Sequence, residues 1–299
     1  MYIINVDKLI EIFLDCDDFC KNFEPVFQRA QIHRGRTGHN KPKLHASEIM
    51  TILIFYHFSG MKCFKYYYNR IVCDAMLSYF PNVVSYNRFV ELIPRHMLHL
   101  CVFLNTVRIA KQTGIAYIDS KKLPICHNRR IYSNKVFKGL ATRGHCSVGW
   151  FYGFKLFLVI NHLGQVLRCF ITPANIADND QKIMHKLLNG FTGKIFGDKG
   201  FISSKILEEY IYKGLQIITK LRKNMKNKLI NIHDYFLLTK RGVIESVFDI
   251  MSAICDIDHS RHRSPVNAFT HLFSGVIAYT YLDKLPSIFR NKYAEIPPF

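Results

Sequence analysis

Asp119, Asp198 and Glu245 are three acids set in otherwise basic sequence, in Tyr-Ile-Asp119-Ser-Lys-Lys, Phe-Gly-Asp198-Lys-Gly and Arg-Gly-Val-Ile-Glu245. Carboxylates are hard oxygen donors. Three of them converging would hold two Mg²⁺ or Mn²⁺ ions, which activate an attacking oxygen and stabilise a leaving one during in-line displacement at a phosphodiester. Such a centre needs no Ser–His or Cys–His nucleophile. The rest of the chain supplies the opposite charge: Lys+Arg number 41 against 22 Asp+Glu, a net charge of +19 over 299 residues. An excess of that size predicts binding to nucleic acid or to an anionic membrane surface. Metal-binding acids amid basic sequence point to chemistry on DNA or RNA.

The elements that must position these acids are legible from about residue 112 onward. Gly114 to Asp119, Phe151 to Asn161, Val166 to Thr172, Lys194 to Asp198 and Leu215 to Lys220 are β-branched and aromatic runs bounded by turn residues, and they predict five strands. The first three follow one another through Gly-containing connections, as antiparallel neighbours do. Helices are expected over Asp178 to Asn189 and Ser203 to Lys213. The implied fold class is α/β, with a mixed five-stranded sheet and flanking helices. Asp119 then ends the first strand and Asp198 the fourth. Glycines on both sides of Asp198 would let a phosphate or metal approach the backbone. Taken singly, each Asp reads more simply as a turn initiator.

Glu245 is expected on a helix whose apolar face is Val243, Val247, Ile250 and Ile254, broadened by Ile244, Phe248, Met251 and Cys255. The opposite face carries Arg241, Glu245, Asp249, Ser252 and Asp256. A solvated polar face looks the same, so periodicity does not separate Glu245 from Asp249. Arg241, one turn before Glu245, is placed to orient its carboxylate or to contact phosphate.

No Asp or Glu occurs from Ser120 through Ala177, where Lys121, Lys122, Arg129, Arg130, Lys135, Lys138, Arg143, Lys155 and Arg168 lie. A second acid-free stretch, Tyr210 to His233, holds Arg222 among other cations. Both stretches read as phosphate-binding surface around the metal ligands. Residues 1–110 are expected to be helical, with helices over Val6 to Cys20 and Ala46 to Phe58, a cap at or just before Ser47, and another start at Ser85. Between the first two helices, Arg29 to Lys43 carries five basic residues and no acid, a loop or arm. The region suits helix-turn-helix DNA binding and equally a small bundle. Phe64 to Tyr68 is read as half core and half surface rather than as a base-stacking run.

The apolar runs Met50 to Phe58 and Phe269 to Leu282 are interrupted by His and fall short of the ~18–20 residues that span a bilayer. With no secretory signal at the start, a cytoplasmic protein without membrane attachment is expected. Nine cysteines without a CxxC pair read as reduced thiols rather than as disulfides or zinc ligands.

Several of these segments resemble the DDE transposases of insertion-sequence family 982: residues 117–130, 137–144, 149–156, 196–202, and His-Ser-Arg-His-Arg-Ser-Pro at 259–265. The likeness covers roughly residues 112–285. It implies an RNase H-like catalytic domain, expected over 111–285, after a helical DNA-binding region over 1–110 and before a tail at 286–299. It maps the family's acids onto Asp119, Asp198 and Glu245, with two Mg²⁺ or Mn²⁺ ions. Lys199, Arg261 and Arg263 lie in its motifs and join the basic residues above as DNA contacts. It further implies terminal inverted repeats and target DNA as partners, a homodimer or larger synaptic assembly, and a bacterial, nucleoid-associated protein. Where the broader type carries a Tyr three residues before the Arg and a Lys seven after the Glu, this chain has Leu238 and Ser252. An RNase H-like nuclease without strand transfer, and a decayed transposase that only binds DNA, are the alternatives.

Overall fold

The computed structural model describes residues 4–32, 43–146, 149–201, 204–220, 230–259 and 261–289. Along the chain come α1 (Val6–Ile32), α2 (Ala46–Phe55), α3 (Phe64–Tyr67), α4 (Tyr86–Leu92) and α5 (Met97–Thr106). The strands follow: β1 (Ile115–Cys126), β2 (Thr142–Cys146), β3 (Gly149–Asn161) and β4 (Val166–Pro173). Then α6 (Gln181–Leu188), β5 (Gly193–Gly197), α7 (Ser204–Tyr212), β6 (Leu215–Thr219), α8 (Ile232–Thr239), α9 (Gly242–Ala253) and α10 (Pro265–Thr280) complete the described strands and α-helices. They form two compact units, Met1–Arg108 with Met251–Leu282, and Ile109–Ile250 with Asp283–Phe299. A linear reading had kept residues 251–282 with the strands.

In the helical unit, α1 runs past the expected stop at Cys20. Phe19, Phe23 and Phe27 recur one turn apart, with ring centroids 5.0 and 5.5 Å apart, and this ladder carries the helix through Pro25. Leu9, Ile12, Cys16, Met50, Ile52, Phe103, Val276 and Ile277 are buried, so α1, α2, α5 and α10 share one core. Glu48 accepts the His45 amide at 2.7 Å and closes the start of α2, so the cap is His45, two residues before Ser47. The Ser85 hydroxyl caps α4 through the Arg88 amide. Tyr67 and Tyr68 are buried while Tyr66 is exposed, dividing the aromatic run as expected. The basic stretch 29–43 begins inside α1, and its residues 33–42 lie outside the described residues.

The other unit is built on one mixed sheet. β1 pairs antiparallel with β3 and parallel with β5; β5 pairs parallel with β6, and β3 pairs antiparallel with β4. This gives the order β4-β3-β1-β5-β6, the RNase H-like arrangement, with α6 and α7 as the crossovers that parallel strands require. The sheet has six strands, not five. β2 pairs with the Gly149–Gly153 end of β3, on the edge that β4 continues; its Thr-Arg-Gly-His-Cys sequence carries no apolar alternation and reads as loop. β1 is also longer than expected, because Ser120 to Cys126 keep pairing with β3 despite Pro124. The ladder shifts register there, a bulge that tolerates a residue without an N–H. Opposite it, a Cβ on Gly153 would fall 2.1 Å from the Leu123 carbonyl, so only glycine fits.

Alternation along β1 sorts the two faces. Ala116 and Ile118 enter a core with Phe157, Val159, Met184, Leu187, Ile195 and Ile206. Tyr117 faces the other side, where its hydroxyl donates to the Leu237 carbonyl of α8 at 3.1 Å and its ring lies 5.6 Å from Phe196. The described part of the tail adds to this unit, the Ile288 amide donating to the His162 carbonyl at 3.1 Å.

Candidate active site

β1 is buried on both faces through Ile118 and opens at Asp119. Asp119 is therefore not the end of its strand but its fifth residue, placed where the covering side chains stop. Asp198 directly follows β5, two residues beyond the Tyr117–Phe196 pair of the parallel ladder. Asp119 lies two residues past the same pair, and the Asp198 charge acts on its carboxyl. Of the glycines beside Asp198, Gly197 has a packing reason: a Cβ there would meet the Ile118 side chain at 2.9 Å.

The third acid comes from α9. Its buried face is Val243, Ile244, Val247, Phe248 and Met251, while Ile254, expected on that face, is 47% exposed just beyond the last helical turn. The polar face turns Arg241 and Glu245 to Asp119. Arg241 Nη1 donates to Asp119 Oδ2 at 3.3 Å and Nη2 donates to Glu245 Oε1 at 3.0 Å. Of the two acids that periodicity left level, Glu245 is the one sharing this guanidinium with Asp119.

Electrostatics give the same grouping. Burial pushes the Asp119 carboxyl up from 3.8 to about 6. The Ser120 amide, bonded to Oδ1 at 2.8 Å, and the Arg241 charge oppose that rise; the Asp198 and Glu245 charges reinforce it. Carboxylates that raise one another's proton affinity are what a divalent cation relieves, and their oxygens are the donors Mg²⁺ and Mn²⁺ take. The residues fit such ions by type. Among the described residues, no group of three or more His, Cys, Asp or Glu is arranged to hold a metal, and the Arg241 guanidinium supplies the positive charge between Asp119 and Glu245.

Residues 109–265, more than half of the chain and spanning all three acids, match the family model described as Transposase DDE domain. The chain belongs to that family. No curated protein matches it. Among solved structures it is similar to piggyBac transposase in a cryo-EM synaptic complex with hairpin DNA, at 12% identity and a TM-score of 0.46, over 84% of this chain and 69% of that one.

Within this transposase domain, Lys122, Arg129, Arg130, Lys135, Lys138, Arg143 and Lys199 are exposed and Lys121 is half-buried. Arg241 is half-buried in its two ion pairs. Arg261 and Arg263 are exposed in the helical unit, and Arg222 lies outside the described residues, as do positions 221–229 of the second acid-free stretch. Two basic residues of the first acid-free stretch bond within the domain instead. Arg168 donates to the Lys186 carbonyl at 2.7 Å and packs over Phe191. Lys155 is buried, its ammonium donating to Asp178 Oδ1 at 3.0 Å and to the Ile176 carbonyl at 2.9 Å.

Asp178 is the residue the sequence reading missed. Ser120, next to Asp119, also donates to Asp178 Oδ1 at 3.0 Å, so a Lys155–Asp178–Ser120 network braces β1 from the face opposite Arg241. The signal was present in Phe-Lys-Leu-Phe-Leu-Val-Ile: a lone Lys in an apolar strand requires a buried partner. Lys155→Ala strands a half-buried carboxylate and is expected to cost ~2–4 kcal/mol, whereas Lys122→Ala on exposed β1 costs under ~0.5 kcal/mol. Urea denaturation of the two variants checks the contrast.

Proposed function

We propose that the chain is the transposase of an insertion sequence of family 982, cutting at the terminal inverted repeats of its element and joining the 3′-hydroxyls to target DNA. The observation that carries this reading is Asp119 and Glu245 sharing Arg241 beside Asp198 within a transposase DDE domain. Asp119, Asp198 and Glu245 hold two Mg²⁺ or Mn²⁺ ions, which when bound supply the charge stabilisation for in-line displacement. Asp119 is pre-set for this by its paired strand, with Oδ1 already held by the Ser120 amide. Arg241 offsets the repulsion between the Asp119 and Glu245 carboxylates, and its guanidinium is of the type that would pair with a DNA phosphate. Lys121, Lys122, Lys199 and the exposed basic residues of the 129–143 segment neutralise neighbouring phosphates. The helical unit, with Arg261 and Arg263, binds the element end, and two ends require a homodimer or larger assembly.

The test is a joining assay with the full chain, an end-containing duplex, a target duplex and Mg²⁺ or Mn²⁺. Nicks at the element end plus a joined product are expected. Cut ends without joining indicate a nuclease; tight binding without cutting in either metal indicates a DNA-binding protein only, the reading that Ser252 in place of a Lys favours. Because Asp119 must be ionised to act, the rate at limiting metal is expected to fall about tenfold per pH unit below about pH 6. Raising the metal concentration moves that midpoint to lower pH, since cation and proton compete for the same oxygens.

A further inference from the structure

Trp150 is the chain's one tryptophan and it is 55% exposed. A large aromatic left in water forgoes ~1.5 kcal/mol or more of burial, and this one is held in place rather than loose. Its carbonyl accepts from Asn128 Nδ2 at 2.7 Å. Across the β2–β3 ladder it pairs with His145, whose ring stands edge-on at 5.2 Å. The Arg143 guanidinium, two residues along on the same face, lies 5.0 Å from the indole. The surrounding segment from Ser120 to Ala177 holds no acid, and Tyr132 in the β1–β2 connection is 99% exposed. A fixed indole with a guanidinium beside it is the pairing that binds unpaired nucleotides: the ring stacks on a base while the cation takes a neighbouring phosphate. A duplex, with its bases already stacked, offers such a ring nothing comparable.

Register gives the distance. Asp119 pairs with Leu158, so Trp150 lies eight residues along β3 from the acids, on the order of 26 Å at the strand rise. That is too far for the scissile phosphate and close to eight nucleotide steps of DNA. We propose that Trp150, with Arg143 and His145, is a stacking site for an unpaired base of DNA roughly 26 Å from the carboxylates. This deepens the transposase reading and rests on it: the site holds a strand opened away from the cut, not the reacting ends.

Because the tryptophan is single, its fluorescence reports the site directly. The full chain, without divalent metal, is titrated with a blunt duplex and with the same duplex bearing a short unpaired tail, following indole fluorescence and the anisotropy of labelled DNA together. The tailed duplex is expected to quench the indole and the blunt one to leave it nearly unchanged. Trp150→Ala is expected to lose about tenfold in affinity for the tailed duplex, the scale of one base–aromatic stack, with blunt-duplex affinity and the melting temperature unchanged; Trp150→Tyr restores most of the loss. Tailed DNA that binds without quenching, or a Trp150→Ala loss equal on both duplexes, overturns the stacking site and leaves the DNA-processing reading standing. Failure of the wild type to bind either duplex overturns both.

Discussion

Asp119→Asn is expected to abolish metal-dependent cleavage by at least about 10³-fold, since on the proposed function it removes one ligand of the metal site and forfeits several kcal/mol of transition-state stabilisation. Duplex binding is expected to persist, because on the proposed function the phosphates are taken by the exposed cations and not by the acids. The same variant should be more stable than the wild type at neutral pH. The folded-state pKa of Asp119 is raised from 3.8 to about 6, mainly by burial and further by Asp198 and Glu245. A raised pKa means that whatever stability the group contributes is fully present below about pH 4 and is lost as pH rises through about 6, where the folded chain must hold an unwelcome charge. Asn does not titrate, so its advantage grows across that window and levels off above it, at ~1–3 kcal/mol for a shift of this size. Thermal melts of both proteins from acid to neutral pH, alongside the cleavage assay, check it. Equal cleavage by the variant would falsify the role given to Asp119. Equal stability at every pH would mean that Asp119 is not held among repelling charges.

Glu245→Gln and Asp249→Asn are expected to separate by two to three decades in cleavage rate, although the two acids share one exposed helix face. Glu245 is tied through Arg241 to Asp119 at 3.0 and 3.3 Å, whereas Asp249 stands a turn farther along α9. Gln keeps the size and the hydrogen bond to Arg241 but removes the charge a cation needs, so a loss of about 10²–10³-fold is expected. Asp249→Asn should stay within about twofold and within ~0.5 kcal/mol of wild-type stability, as surface substitutions do. Metal-dependent nicking of an end-containing duplex by the paired variants reads the difference, and the reverse ranking would reassign the third acid.

Much of this site was legible before any tertiary structure. Asp119 and Asp198 adjoin short β-branched and aromatic runs read as strands of one sheet, and the structure pairs those two strands, β1 and β5, in parallel. The three antiparallel strands β1, β3 and β4, then strand–helix–strand, followed from apolar runs and the turn residues that bound them, with β2 missed between the first two. So did the Ser85 cap and the excess of cations. These are local properties: hydrophobic period, turn chemistry and charge are carried by a few consecutive residues.

What tertiary structure decided is non-local. Ser120 to Cys126 and Thr142 to Cys146 are strands because β3 satisfies their backbone groups, a partnership that their polar sequence does not advertise. Asp178 acquires its place from a lysine 23 residues away. Residues 251–282 join the N-terminal helices in one unit, because the apolar face of α10 requires a helical core that lies far off in sequence. Glu245 is separated from Asp249 by the position of one guanidinium, since helical periodicity is the same for a solvated face and for one that meets a sheet. The sequence by itself thus determined which residue types were available, the basic field around them and the strands that carry two of the acids. Only the packing of α9 against the opening of β1 decided that Glu245, and not Asp249, shares Arg241 with Asp119, because the distance between side chains on separate elements is set by the core beneath them.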